Sequence, residues 1–563
     1  MTAAMSTPQV FAPPPFAGPL SGHGGSHAVE VARHHGIDTM FTLSGGHVFP
    51  LYDGAVKPEP TMRLIDVRHE QTAVFAAEGV GKLTGRAGLA VVTAGPGVTN
   101  AVSGVATARF SGSPLILVGG RAPDSRWGQG LLQELDQPPM LEPVTKRAWT
   151  VHDTGGIGAA MDEAARLAND AHRGPVFLDI PMDRLYDQAE TELSAAAPPA
   201  DRSPDPGRIA EAARLLGEAE RPVLVYGSDV WLDGAAQAAL EAAEELGVPV
   251  VTNGQGRGVL PGGHRLLANR ARGAALGRAD LVVVVGTPLD FRLGHGLFGG
   301  KDDFPLARVV HVADSAGQVT DHMTPAAAVW GDLSAALRGI AGAAAPTASA
   351  RRWCTEIAEA ARAAAAQDAD VLASEADPIH PARIYGELNR ILDDDAVVIG
   401  DGGDFVSYAG KYVEPKRPGR WLDPGPFGCL GTGMGYSAAA RLTHPSSQVV
   451  TLMGDGAAGF SLMDVDTLVR HRLPVVMVCG NNGIWGLEKA PMQMLYGYDV
   501  AADLTPQTRY DEVVRALGGG GELVTDPEQI APALRRAFDS GVPYMVNIAT
   551  DPENVYPRKT MGV

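Results

Sequence analysis

The chain has little cysteine. Its three residues, Cys354, Cys429 and Cys479, lie far apart and show no metal-ligand spacing. That excludes a disulfide framework and a cysteine-based zinc site, and it is a cytosolic pattern. Positive charge is also in deficit. Across 563 residues, 46 Lys and Arg stand against 65 Asp and Glu, a net charge of −19. Nucleic acid is not expected as a bulk partner, because binding it needs an excess of basic charge. No apolar run is long enough to span a membrane. Residues 1–24 lack a basic region followed by an apolar core, so a flexible lead-in is expected there rather than a secretory signal. No intact G-x-G-x-x-G opens a helix with an acidic residue on the next strand, which argues against a nucleotide-dependent oxidoreductase. The expected location is the cytoplasm.

What the chain does have is a repeated alternation. Apolar, β-branched runs at 88–94, 114–120, 175–180, 221–227, 279–286, 308–314, 396–401, 448–455, 473–481 and 543–550 read as buried strands. Ala-rich amphipathic segments separate them. This pattern predicts an α/β fold of doubly wound parallel sheets, with ligands at the carboxyl ends of the strands. Stretches rich in Ala, Pro and Ser at 190–208 and 341–350 read as linkers. The expected organisation is three domains, at 25–190, 205–342 and 375–550, followed by a tail at 551–563.

One stretch carries chemistry: "MGDGAAGFSLMDVDTLVRHRLPVVMVCGNNGIWG", residues 453–486. A strand ends in a glycine turn and a helix begins. Gly454 and Gly456 let the backbone approach a ligand, and the helix start offers N–H groups to phosphate. Asp455 would then repel that phosphate unless a divalent cation lay between them. Asn482 sits at the tip of the next strand. The Asp455 carboxylate, the Asn482 carbonyl and the main-chain carbonyl of Ile484 are hard oxygen ligands suited to Mg²⁺. The stretch reads as a Mg²⁺–diphosphate cradle.

This spacing resembles the thiamin-diphosphate (ThDP) signature of the acetolactate synthase and pyruvate oxidase superfamily. Residues 66–120, from "DVRHEQTAVFAAEGVGKLTG" to "SPLILVGG", are similar to that superfamily's pyrimidine-binding domain. The resemblance implies a pyrimidine-binding domain, a middle domain and a diphosphate-binding domain, in that order. It implies a homodimer or homotetramer, with the cofactor held between the first domain of one subunit and the third of another. It casts Glu70 as the carboxylate on the aminopyrimidine, setting the tautomer that takes the thiazolium C2 proton. Leu430 becomes the apolar prop under the cofactor. Pro96, Asn100, Asp404, Ala457 and Ala458 become further cofactor contacts, alongside Gly454, Gly456, Asn482 and Ile484.

Local sequence must choose the reaction. His47, in "SGGHVFPLYDGA", stands where acetolactate synthases usually carry a small residue and where benzaldehyde lyase has a histidine; it could relay a substrate hydroxyl proton. Leu132-Gln133-Glu134 replaces the Phe-Gln-Glu typical of the synthases, which widens the pocket and leaves Gln133 to hold a substrate oxygen. Residues 253–296 resemble the middle domain of 2-hydroxyacyl-CoA lyases. There Arg257, His264, Arg265, Arg270 and Arg272 form a local basic cluster suited to the phosphates of coenzyme A. FAD or ADP in that domain stays open, since "LDFR" at 289–292 echoes a flavin motif only faintly. Glu488 is a second expected acid or base, its pKa raised by desolvation. The tail, with Tyr556, Arg558 and Lys559, could close as a lid.

The favoured reading is a ThDP- and Mg²⁺-dependent carbon–carbon lyase. It would cleave a 2-hydroxyacyl-CoA, branched substrates such as 2-hydroxyisobutyryl-CoA included, to formyl-CoA and a ketone or aldehyde. The first alternative is acetolactate synthase, acting on pyruvate or another 2-oxo acid. The second is a benzaldehyde-lyase-like enzyme acting on 2-hydroxy ketones. A non-catalytic relative would be expected to have lost Glu70, Asp455 or Asn482, and this chain keeps all three.

Overall fold

The computed structural model describes residues 16–57, 61–195 and 199–557. Three parallel sheets, each flanked by helices, follow one another along the chain. The first runs Arg63–Asp66, Thr39–Thr42, Gly88–Val92, Leu115–Arg121, Pro175–Pro181 and Arg147–Thr150 across its width. The middle sheet runs Val250–Thr252, Pro222–Tyr226, Leu281–Val285, Arg308–Ala313 and Ala327–Trp330. The third runs Trp421–Leu422, Val397–Asp401, Val449–Gly454, Val476–Asn481, Tyr544–Ala549 and Gly520–Val524. All pairings within these sheets are parallel. The central strands are buried along their whole length, as "GLAVV" and "LVVVV" require when both faces are covered. Among the described residues, no helix is long and apolar enough to cross a membrane.

Two expected linkers hold more structure than their composition suggests. Residues 190–193 belong to the strand Gln188–Leu193, which pairs antiparallel with Gly18–His23 and ties the start of the described chain to the end of the first domain. At 341–350, the helix Leu333–Ala343 ends and the helix Ala348–Gln367 begins, leaving a four-residue joint, 344–347. Alanine is the best helix former, and only Pro346 and the Thr347 cap interrupt it.

The first and third domains pack through a helix pair. Glu70–Thr84 lies against Thr432–Thr443 at close range. A Cβ at Gly79 would sit 2.7 Å from the Ala439 Cβ, and one at Gly435 would sit 2.6 Å from the Phe75 Cβ. Within the first helix Lys82 pairs with Glu78 at 3.1 Å; across the seam Lys82 donates to the Tyr436 hydroxyl at 2.8 Å, and that hydroxyl donates to Glu78 at 2.8 Å. The middle domain joins at the same place: Trp231 Nε1 and Gln255 Nε2 donate to the Lys82 carbonyl at 2.8 and 2.7 Å.

Candidate active site

The carboxyl ends of three neighbouring strands in the third sheet frame one pocket. Val397–Asp401, Val449–Gly454 and Val476–Asn481 run in register, with Asp401 beside Met453 and Gly454 beside Gly480. Each strand gives way to a glycine-rich turn. The pocket is lined by Asp404, Leu430, Gly454, Asp455, Gly456, Ala457, Asn482, Ile484 and Glu488, among others. Ala458, expected there too, is instead buried in the third domain's core beside Leu462, because the helix Asp455–Ser461 turns it inward.

Asp455 is buried. Its Oδ2 accepts the Gly483 N–H at 2.8 Å, and its Oδ1 accepts the Gly456 N–H at 3.1 Å. Burial pushes its pKa up to about 6, a cost that a cation on the carboxylate would relieve. Asn482 Oδ1 accepts the Ile484 N–H at 3.2 Å. Asn481 plays a different part. Its Nδ2 donates to the Thr508 carbonyl and to Asn547 Oδ1, stitching the sheet to the following loop. A buried carboxylate with only backbone donors, set beside an amide oxygen and a main-chain carbonyl, fits a hard divalent cation. Leu430 leans over Gly402, where an added Cβ would come 1.8 Å from its Cδ2; with φ at 59° a side chain there would strain the turn and push Leu430 off the pocket. Asp404 Oδ1 accepts the Tyr556 N–H at 2.6 Å, which places the C-terminal segment on the pocket wall. Arg558 and Lys559 lie outside the described residues.

A second set sits at the strand tips of the first sheet. Glu70 is buried at the start of its helix, and Asn100 Nδ2 donates to its Oε2 at 3.0 Å. Asn100 comes from the helix Pro96–Ser111, whose first residue, Pro96, is exposed. His47 is buried, with Nδ1 3.0 Å from Thr93 Oγ1, and Thr93 Oγ1 lies 3.4 Å from Gln133 Oε1. Burial lowers the His47 pKa, so the imidazole is neutral near pH 7. Gln133 adopts a left-handed backbone (φ 61°) opposite Gly95, where an added Cβ would lie 3.0 Å from its own Cβ. Buried Gln137 holds this loop through the Gly95 N–H, the Gly120 carbonyl and Asp179. No motif singles out Thr93. The signal that could have found it is its place at the end of a buried run, two residues before the glycine turn.

Two expectations need correction. Glu488 is exposed in the first turn of Gly486–Tyr496, so within the subunit it is not the desolvated acid or base that was expected. The basic cluster at 257–272 is only partly one patch: Arg257 and Arg292 lie within repelling range of Arg272, while the others take separate partners or face solvent. Arg257 donates to the Gly410 carbonyl at 2.9 Å and covers the Trp421 ring. Arg270 donates to the Lys411 carbonyl and pairs with Asp368. Arg272 donates to the Arg292 carbonyl, His264 faces Glu244, and Arg265 is exposed. Packing of the middle domain against the third uses up Arg257 and Arg270. The faint flavin echo resolves into a local fork, Arg292 on Asp290.

Glu70's neighbours His69 and Gln71 share a second cavity with Asp455 and Gly456 in the same subunit, but Glu70 itself does not line the diphosphate-side pocket. Every residue lining the diphosphate-side pocket falls between 402 and 488, and Glu70, Asn100 and His47 are not among them.

This architecture, with an acidic strand tip in the third sheet and a buried glutamate in the first, is that of a thiamin-diphosphate enzyme. Family models match all three parts: the thiamine pyrophosphate enzyme N-terminal TPP binding domain at 23–140, the central domain at 209–340 and the C-terminal TPP binding domain at 401–548. The acetolactate synthase large subunit IlvG of Mycobacterium tuberculosis is 49% identical over 547 residues, covering 96% of this chain and 97% of the relative. The 2-hydroxyacyl-CoA lyase 2 of Homo sapiens is 33% identical over 574 residues, covering 93% and 90%. That of Caenorhabditis elegans is 33% identical over 568 residues, covering 92% and 87%. The chain belongs to the thiamin-diphosphate-dependent enzyme family that includes these synthases and lyases.

Proposed function

We propose that this chain is an acetolactate-synthase-type enzyme that uses ThDP and Mg²⁺ to decarboxylate pyruvate and join the two-carbon unit to a second 2-oxo acid. The observation that carries this reading is the 49% identity, along nearly the whole of both chains, to a relative named acetolactate synthase. The partners that Arg257 and Arg270 find in packing support it, since a coenzyme A ester would need those guanidiniums for its phosphates.

Asp455, Asn482 and the Ile484 carbonyl would hold Mg²⁺, and the turns at 402–404 and 454–457 would take the diphosphate. When bound, ThDP supplies an electron sink for the carbanion formed by breaking a carbon–carbon bond. Glu70, steadied by Asn100, offers an acceptor oxygen to the pyrimidine ring. Neutral His47 exchanges a proton with a substrate hydroxyl, and Gln133 orients a substrate oxygen. In keeping with the family resemblance, the working site would form between the first domain of one copy and the third domain of another, in a homodimer or homotetramer acting in the cytoplasm.

A second reading, 2-hydroxyacyl-CoA lyase, is favoured by one local feature. His47 and Gln133 meet through Thr93, beside a Leu132 that is 78% exposed where the synthases usually carry phenylalanine. The test is a product assay with purified protein, ThDP and Mg²⁺. Acetolactate from pyruvate, with 2-hydroxyisobutyryl-CoA and a straight-chain 2-hydroxyacyl-CoA untouched, supports the synthase. Formyl-CoA with acetone or an aldehyde, and no acetolactate, replaces it with the lyase.

A further inference from the structure

Away from the cofactor pocket, at the boundary between the first and middle domains, three ligating side chains converge. His172 precedes the strand Pro175–Pro181 of the first domain. Asp229 lies on the helix Ser228–Leu232 of the middle domain, and Asp314 directly follows the strand Arg308–Ala313. His172 Nδ1 is 3.0 Å from Asp314 Oδ2 and 3.7 Å from Asp229 Oδ2. One ligand atom from each residue lies within 4.8 Å of the others.

Both carboxylates are buried, and their hydrogen bonding is incomplete: Asp314 is held by His172 and Ser315 on one side only. Asp314 is 1% exposed, and its Oδ1 accepts no hydrogen bond. Asp229 is 6% exposed and lines a cavity between the domains; among the described residues its one ion-pair partner is His172, at 3.7 Å. A carboxylate out of water is costly unless it is paired, hydrogen-bonded or bound to a metal. The nearby cations have other partners. Arg202 holds Asp233 through two bonds of 2.8 and 3.0 Å, and Arg173 adds a third at 3.2 Å. Lys146 Nζ donates to the Asp170 carbonyl at 2.8 Å. Arg173 also lies within charge range of both Asp229 and Asp314, but it makes no ion pair with either, so the three ligand atoms face one another directly.

We propose that His172, Asp229 and Asp314 form a divalent-cation site that clamps the first domain to the middle domain. One imidazole nitrogen with two carboxylate oxygens suits Mn²⁺ or Zn²⁺ better than Mg²⁺, which prefers oxygen and keeps its waters. The adjoining cavity, lined also by Ser228, Gln255 and Thr287, gives the ion an entry path and room for water ligands. The site is distinct from the one at Asp455.

The test uses chelator-stripped, ThDP-free, full-length protein titrated with Mn²⁺, with free ion followed by electron paramagnetic resonance. Wild type and Asp455→Asn are expected to bind about one Mn²⁺ per chain alike, and Mn²⁺ should raise the melting temperature of both. Asp229→Asn and Asp314→Asn should each weaken binding by at least about 100-fold, since losing a direct ligand costs no less than losing an outer-shell partner. Asp229→Asn is the safer variant, since no side-chain hydrogen bond to a described residue is lost with it, and its circular dichroism should match wild type. The proposal is overturned if Asp455→Asn abolishes all Mn²⁺ binding, or if folded Asp229→Asn titrates like wild type.

Discussion

Asn100 donates its side-chain amide to Glu70 across two helix starts of the first sheet, at 3.0 Å. This bond fixes which oxygen of Glu70 stays available. Glu70→Gln should lower kcat by about 10²–10⁴, the usual worth of a positioned acid–base group. Asn100→Ala, which removes only the steadying bond, should cost roughly tenfold less than that. Steady-state kinetics on both variants, with melting temperatures alongside, test this. A fully active Glu70→Gln enzyme would sink the assignment.

Asp455 governs the response to metal. Among the described residues its hydrogen bonds come from two backbone N–H groups, so Asp455→Asn should fold. Its cofactor binding should need at least about 100-fold more Mg²⁺, because a charged oxygen ligand is lost. Trp485 packs against Gly456, with ring atoms 2.5 Å from where a Cβ would stand, so its fluorescence reports the event. Quenching by ThDP should vanish with chelator in wild type and return with Mg²⁺. An unchanged Mg²⁺ midpoint in the variant would contradict the ligand role.

Thr93 joins His47 to Gln133. Thr93→Val keeps the shape and removes the hydroxyl; Thr93→Ser keeps the hydroxyl. The valine variant should lose roughly tenfold or more in kcat/KM, within the range of one misplaced catalytic group. The serine variant should recover most of that loss, and neither should shift the melting temperature by more than a few degrees. Equal losses in both would mean that packing, not the hydrogen bond, matters here.

His444 should make the fold acid-sensitive. Burial first, then the adjacent Arg420 guanidinium, hold its pKa down to about 4. An unfolded histidine titrates near 6.5. As pH falls from about 6.5 towards 4, the unfolded chain takes up a proton that the folded chain refuses, so stability is lost over that window and is intact above it. His444→Asn should flatten this part of the stability–pH curve by on the order of 1–3 kcal/mol. Urea unfolding at pH 7 and pH 4.5 measures it; parallel curves for the two proteins would rule the effect out.

Much of the fold was legible because buried parallel strands announce themselves. Each of the ten apolar runs read from the sequence contains a strand. Strands that were missed, such as Thr39–Thr42, Arg147–Thr150 and Trp421–Leu422, are short, and most lie at sheet edges where one side needs no apolar cover. Asp455 and Asn482 were legible through their glycine-flanked strand tips. Glu488 and the 257–272 cluster were misjudged for a common reason. Exposure and pairing depend on which distant segment packs nearby, and Arg270 meets Asp368 across 98 residues of sequence. The His172–Asp229–Asp314 group was invisible in the same way, since its members come from two domains.

The seam around Lys82 also sets an order of events during synthesis. Glu78 and Lys82 find the Tyr436 hydroxyl across 358 and 354 residues. At ribosomal speeds of about 5–20 residues per second, that partner emerges tens of seconds after the first sheet is complete. Until then, the nascent first domain carries a glycine-lined groove on the helix Glu70–Thr84 and a lysine–glutamate pair without its phenol. Contacts this long-range close slowly. The interval before Tyr436 arrives is therefore when a growing chain is most open to aggregation and has most need of a chaperone.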